Sequence, residues 1–186
     1  MVSQLRPSQP TSILRKSPRH DRPALYAIEG TLQVFTSAHR TFFTNVMVQA
    51  LRTAGQGAPV LVVQFLKGGI DQGSDSPMQF GQNLNWLRCG IPRCLLDGNV
   101  NEDEKAALQD LWHHTQEVVM QGHHALVVLD ELSLAIAYGL IPEAEVLALL
   151  CDRPSRVDVI LTGPSMPEML LNMADQVTEV RRSLLP

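Results

Sequence analysis

The sequence predicts an α/β fold, a mostly parallel sheet with helices on both faces. Two observations carry this reading. Short apolar runs rich in β-branched residues, PVLVVQFL (59–66), ALVVL (125–129) and VDVIL (157–161), read as strands buried on both faces. Longer amphipathic patterns alternate with them, and such alternation calls for parallel crossovers.

Each element has its own signal in chain order. Leu32–Thr36 reads as a first strand, and residues 40–54 as a helix stopping at Gly55-Gln-Gly57. The stretch GGIDQGSDSPMQFG (68–81) is a loop by its glycine and serine content. Asn101 opens the clearest helix, NEDEKAALQDLWHHTQEVVMQG. Asn101 and Glu104 have capping-box spacing, acids fill the first turn, and an apolar stripe runs from Ala107 to Val119. A short helix (133–138) and a longer one (142–151) follow, the latter with Pro142 in its first turn. After the strand at 157–161, Ser165 is expected to cap a helix over Met169–Ala174 through Glu168, and Gln176–Val180 reads as a last strand.

At 186 residues and 45% hydrophobic, the chain suits one well-filled domain. No apolar run reaches the roughly 18 residues a membrane helix needs. The N-terminus lacks the apolar core of a secretory signal. Cys89, Cys94 and Cys151 make no disulfide framework, so a reducing cytoplasm is expected. The net charge of −4 is uneven: residues 1–23 hold five basic residues against Asp21, giving +4 and leaving −8 on the rest. With four prolines and several serines, that stretch cannot bury enough surface to fold alone. Residues 1–24 are therefore expected to be a flexible basic arm, and 25–186 the folded domain.

Open parallel sheets bind ligands at the carboxyl ends of their strands. "LVVLDEL" puts Asp130 and Glu131 at such an end. Carboxylates there suit a hard cation beside phosphates, and a helix-capping role for Asp130 suits the same position.

Three stretches settle the context: VLVVQFLKG (60–68), LVVLDELSLAIAYGLIPEAEVLALLCDRP (126–154) and VDVILTGPSMPEMLLNMADQVTEV (157–180). They resemble the corrinoid adenosyltransferase family, which transfers the adenosyl group of ATP to cob(I)alamin. The resemblance spans residues 30–182. It implies a P-loop NTPase-like (RecA-like) sheet, a homodimer, Asp130 and Glu131 as the metal-holding pair wherever Mg-nucleotide binds, and Mg-ATP and a corrinoid as ligands.

The same resemblance aligns ALRTAGQG (50–57) with the end of the family's first helix. The family's G-x-G-K-G-K-T then falls on Ser37-Ala38-His39-Arg40-Thr41-Phe42-Phe43. Its three glycines become Ser37, His39 and Thr41; its phosphate lysine becomes Phe42 and its metal-binding hydroxyl Phe43. A phosphate cradle turns several backbone N–H groups to one point, at angles only glycine reaches cheaply. Left-handed residues with a Cβ cost about 1–2 kcal/mol each, and the missing lysine removes about 1.5–3 kcal/mol of contact. Together these imply about 10³-fold or more in affinity. Arg40, Lys67, Thr162 and Gly163 remain as residual ligand or anion contacts. The family's F-T-W segment becomes Cys94-Leu95-Leu96, and its Leu-Thr-Gly-Arg becomes Leu161-Thr162-Gly163-Pro164. The sequence also ends at Pro186, before the basic, histidine-bearing segment the family carries.

Other clusters favour plain readings. His113-His114 and His123-His124 are adjacent pairs, whereas zinc ligands on a helix are spaced by three to five residues. The cysteines read as buried or free thiols. Phe42 and Phe43 read as core packing at the helix start or as rings filling the phosphate pocket. Trp86 and Trp112 read as core or interface.

Two functions follow. One is a non-catalytic relative, without cofactor, that binds or regulates a protein partner, with the basic arm suited to an acidic one. The other is an ATP:cob(I)alamin adenosyltransferase of corrinoid biosynthesis with a rebuilt ATP site. A nucleic-acid partner is disfavoured by the acidic body and by an arm without interleaved aromatics.

Overall fold

A computed structural model describes residues 29–70 and 72–181. The basic arm at 1–24 lies outside the described residues. The elements run in the order β1 (Leu32–Ser37), α1 (Thr44–Gly55), β2 (Val60–Gln64), β3 (Met78–Phe80), β4 (Leu84–Arg88), α2 (Glu102–Gln121), β5 (Leu126–Asp130), α3 (Leu132–Ala137), α4 (Glu143–Asp152), β6 (Asp158–Pro164), α5 (Glu168–Met173) and β7 (Gln176–Val180).

The seven strands form one sheet in the order β3-β4-β2-β5-β6-β1-β7. Every neighbouring pair is parallel except β3 with β4. This is the predicted P-loop NTPase-like α/β architecture. All five residues of β2 and of β5 are buried, which is why their sequences are continuous rather than alternating. One face of the sheet packs against α2, α3, α4 and α5 through residues such as Leu111, Trp112, Leu132, Leu149 and Leu170. The other face is covered by α1 through Val46, Met47, Ala50 and Ala54.

The capping box of α2 forms as its spacing predicts. Asn101 Oδ1 accepts from the Glu104 amide at 2.8 Å, and Glu104 Oε2 accepts from the Asn101 amide at 3.1 Å. Gly122 closes that helix in the left-handed conformation, the backbone state glycine enters without strain. The Arg93 fork also grips Glu104, holding its carboxyl below the usual range.

Several expectations are corrected. α1 starts at Thr44, not at residue 40, and residues 40–43 are non-helical. The loop at 68–81 contains β3, and Leu84–Arg88 forms β4, a strand the pattern did not signal. Ser165 does not cap α5; it sits at φ 49°, Pro167 occupies the cap position, and no side chain caps that helix. Pro142 likewise stands at the cap of α4 rather than inside its first turn. Among the described residues, no helix is long and apolar enough to cross a membrane.

Candidate functional site

The strand order sets four chain-distant residues side by side at the carboxyl ends. Gln64 (β2) lies opposite Asp130 (β5), Thr162 is in β6 beside β5, and Ser37 ends β1 beside β6. Asp130 is 1% exposed, and both its oxygens are engaged. Oδ2 accepts from Gln64 Nε2 at 2.7 Å and from Lys67 Nζ at 2.8 Å, and Oδ1 accepts from Thr162 Oγ1 at 2.7 Å. Thr162 Oγ1 in turn accepts from the Glu131 amide at 2.9 Å. Arg88 Nε donates to Gln64 Oε1 at 2.9 Å, which fixes the orientation of that amide. The network is closed, as burial of so many polar atoms requires.

Glu131 starts α3 at φ 60°, a left-handed angle for a residue with a Cβ. The bend turns its carboxylate toward the loop after β1. There Arg40 grips it as a fork, Nε to Oε1 and Nη2 to Oε2, both at 2.6 Å. Two parallel charge-assisted bonds are the strongest form of this pair. The hydrogen bond to Glu131 outweighs partial burial and raises the Arg40 pKa above its ordinary value. Arg40 Nη1 also donates to the Leu95 carbonyl at 2.7 Å, tying the loop to the segment before α2.

The loop itself is polar and short-bonded. Ser37 Oγ donates to the His39 carbonyl at 2.6 Å and Thr41 Oγ1 to the same carbonyl at 3.1 Å. None of residues 37–43 has a positive φ. The two phenylalanines part company. Phe43 is 2% exposed and meets Phe35 edge to face, with ring centroids 6.3 Å apart, in the core beneath α1. Phe42 is 53% exposed, with the Lys67 ammonium 4.9 Å from its ring centroid. The expectation that both rings pack inside therefore holds for Phe43 alone.

Thus the geometry gathers Ser37, Arg40, Lys67, Asp130, Glu131 and Thr162 at one place. Arg40 and Lys67, expected as anion contacts, each face a carboxylate. Gly163, at φ 137°, sits so close to Ser133 Oγ that a Cβ would overlap it. Ser133 Oγ donates to the Pro164 carbonyl at 2.6 Å. Of the segment standing for F-T-W, Leu95 is buried and Leu96 is exposed. Sequence reasoning missed Gln64, although a lone amide inside an apolar run such as PVLVVQFL is a signal of a buried polar partner.

The remaining candidates fall elsewhere. His113 is exposed and His124 half-buried, its pKa lowered by burial and by His123. Cys89 is buried, and desolvation pushes its thiol up to about 12; Cys94 and Cys151 are exposed. Trp112 is core and donates to Glu145 at 2.7 Å, whereas Trp86 is half-buried and its ring N–H has no partner among the described residues.

Comparison with known proteins agrees with this architecture. The chain is 31% identical over 153 residues to the corrinoid adenosyltransferase of Escherichia coli (strain K12), covering 82% of this chain and 76% of that protein. It is equally similar to the corrinoid adenosyltransferase CobA of Salmonella typhimurium (strain LT2), with the same identity and coverage. It is 22% identical over 157 residues to the Nostoc protein all2391, covering 78% of this chain and 42% of that one. Residues 29–184 match the family described as ATP:corrinoid adenosyltransferase BtuR/CobO/CobP, and the chain belongs to that family.

Proposed function

We propose that this member of the family is non-catalytic and acts as a protein-binding or regulatory module. The observation that carries the reading is the placement of Phe43. At the position aligned with the metal-binding hydroxyl, its ring lies in the core beneath α1, so the loop offers no oxygen there. Two further features support it. Residues 37–43 lack the left-handed angles of an amide cradle, and Phe42 presents a ring where phosphate charge needs an ammonium. Mg-ATP therefore does not fit the residues present.

Calorimetry of the full chain tests this. Mg-ATP and then cobalamin are expected to give no heat of low-micromolar binding. One-to-one binding of ATP in that range, or a cobalt–carbon bond formed with cob(I)alamin, would install the adenosyltransferase reading instead. The presence of Asp130 and Glu131 at the end of β5, within a closed polar network, is what that second reading has in its favour.

The partner in this proposal is a protein with an acidic surface, met by the basic arm. Deleting residues 1–23 should weaken its capture, and moderate salt should mimic the deletion, because exposed charges are screened beyond about 8–10 Å. Capture that is indifferent to both would refute the role of the arm. The proposal includes the homodimer implied by the family resemblance. The β3–β4 edge, where Met78 and Phe80 are exposed beside Trp86, offers an apolar surface for it, and sedimentation equilibrium reads it directly.

A further inference from the structure

The amino ends of the strands, opposite Asp130, carry a cleft of their own. Pro59 leads into β2, Gly122 to Ala125 join α2 to β5, and Arg156 stands just before β6. The strand order β2-β5-β6 brings these turns together. Backbone bonds knit them, the Ala125 amide donating to the Pro59 carbonyl at 2.8 Å and the Asp158 amide to the Ala125 carbonyl at 3.0 Å. The space they enclose is about 360 Å³. That lies in the range of small-ligand sites, about 300–1,000 Å³.

Its polar side chains are His123, His124 and Arg156, and no carboxylate lines it. Arg156 is anchored. Its Nε and Nη2 donate to the Gly122 carbonyl at 3.2 and 3.0 Å. That answers the negative end of the α2 dipole and leaves Nη1 for another acceptor. Among the described residues Arg156 forms no ion pair. His124 Nδ1 is buried and has no partner among the described residues, a costly state for a polar atom. With no bond on that nitrogen to fix the ring, half a turn about χ2 brings it to the cleft. Burial, and then His123, lower the pKa of His124, so the imidazole pair lacks the counter-charge an anion supplies. We propose that this cleft binds the phosphate group of a small phosphorylated metabolite, held by Arg156 Nη1 and by the imidazoles of His123 and His124. Phosphate suits the place because its oxygens accept from several directions and its charge matches these donors. At about 30 Å³ per water, the cleft also has room beyond the bare ion, along Pro59 and Ala125. The site lies at the far end of the sheet from the loop after β1, so it stands whether or not Mg-ATP binds there.

The test is an NMR titration of the full chain with glycerol 3-phosphate and with inorganic phosphate, at constant ionic strength. The signals followed are the ring protons of His123 and His124 and the amides of residues 122–125. Saturable shifts are expected, with a dissociation constant of about 1 mM or below, and glycerol 3-phosphate should bind the more tightly. Tighter binding of inorganic phosphate would overturn the metabolite as the source of the phosphate. Arg156→Gln keeps an amide donor for the Gly122 carbonyl and should weaken binding about tenfold or more, the worth of one charge-assisted contact. The His123→Asn/His124→Gln variant should weaken it as well, and it carries the test if Arg156→Gln does not fold. Shifts that rise without saturating, that chloride reproduces, or that survive these substitutions would overturn the site itself.

Discussion

Rebuilding the family's phosphate-loop residues, Phe42→Lys with Phe43→Thr, is expected to destabilise the fold and to create no ATP site. Phe43 is 2% exposed among Phe35, Val46, Met47 and Ala50. Truncating a buried phenylalanine costs about 3–5 kcal/mol through lost transfer energy and the cavity left behind. Threonine adds a hydroxyl with no partner in that setting. In a chain of this size the loss corresponds to a melting-temperature drop of roughly 6–20 °C. Phe42→Lys alone removes only an exposed ring and its contact with Lys67, worth about 0.5–1 kcal/mol. The backbone, meanwhile, keeps its angles, so the amides still do not converge. Urea denaturation of both single variants and the double variant checks the stability, and calorimetry checks the nucleotide. A double variant as stable as the parent, or one binding Mg-ATP at low micromolar concentration, would contradict the assigned role of Phe43.

Asp130→Ala should cost a similar amount for a different reason. The carboxylate is 1% exposed and receives Gln64, Lys67 and Thr162. Removing one partner of a buried ion pair costs about 3–5 kcal/mol, because the other charge is left without compensation. Lys67 retains 21% side-chain exposure, so water relieves part of the loss and the lower end is expected. Adding Lys67→Met should recover a measurable share, a coupling of about 0.5–3 kcal/mol. Strict additivity of the two substitutions in denaturant titrations would show that the pair does not act as a unit.

What the sequence disclosed depended on whether the signal was local. β2, β5 and β6 were legible because strands buried on both faces leave uninterrupted apolar runs. The α2 cap was legible because both partners lie within four residues. β4 was not, since LNWLR is only five residues long, breaks the alternation at Trp86-Leu87 and includes an asparagine and an arginine. β3 was hidden further, as three exposed residues whose only signal is the pairing with β4. The carboxyl-end rule placed Asp130 and Glu131 at the end of β5, where the structure has them. It gave no hint that Arg40 would take Glu131 across 91 residues, or Lys67 take Asp130 across 63. Such pairs depend on strand order, which no local pattern encodes.

The position of β1 has a consequence for synthesis. It is an inner strand, held between β6 and β7, and the hydrogen bond from Thr31 to Asp158 spans 127 residues. At about 5–20 residues per second of translation, roughly 6–25 seconds separate the emergence of β1 from that of its first neighbour. Through that interval Leu32, Val34 and Phe35 belong to a strand with both edges open. A nascent chain in that state is a target for ribosome-associated chaperones and for pairing with other nascent chains.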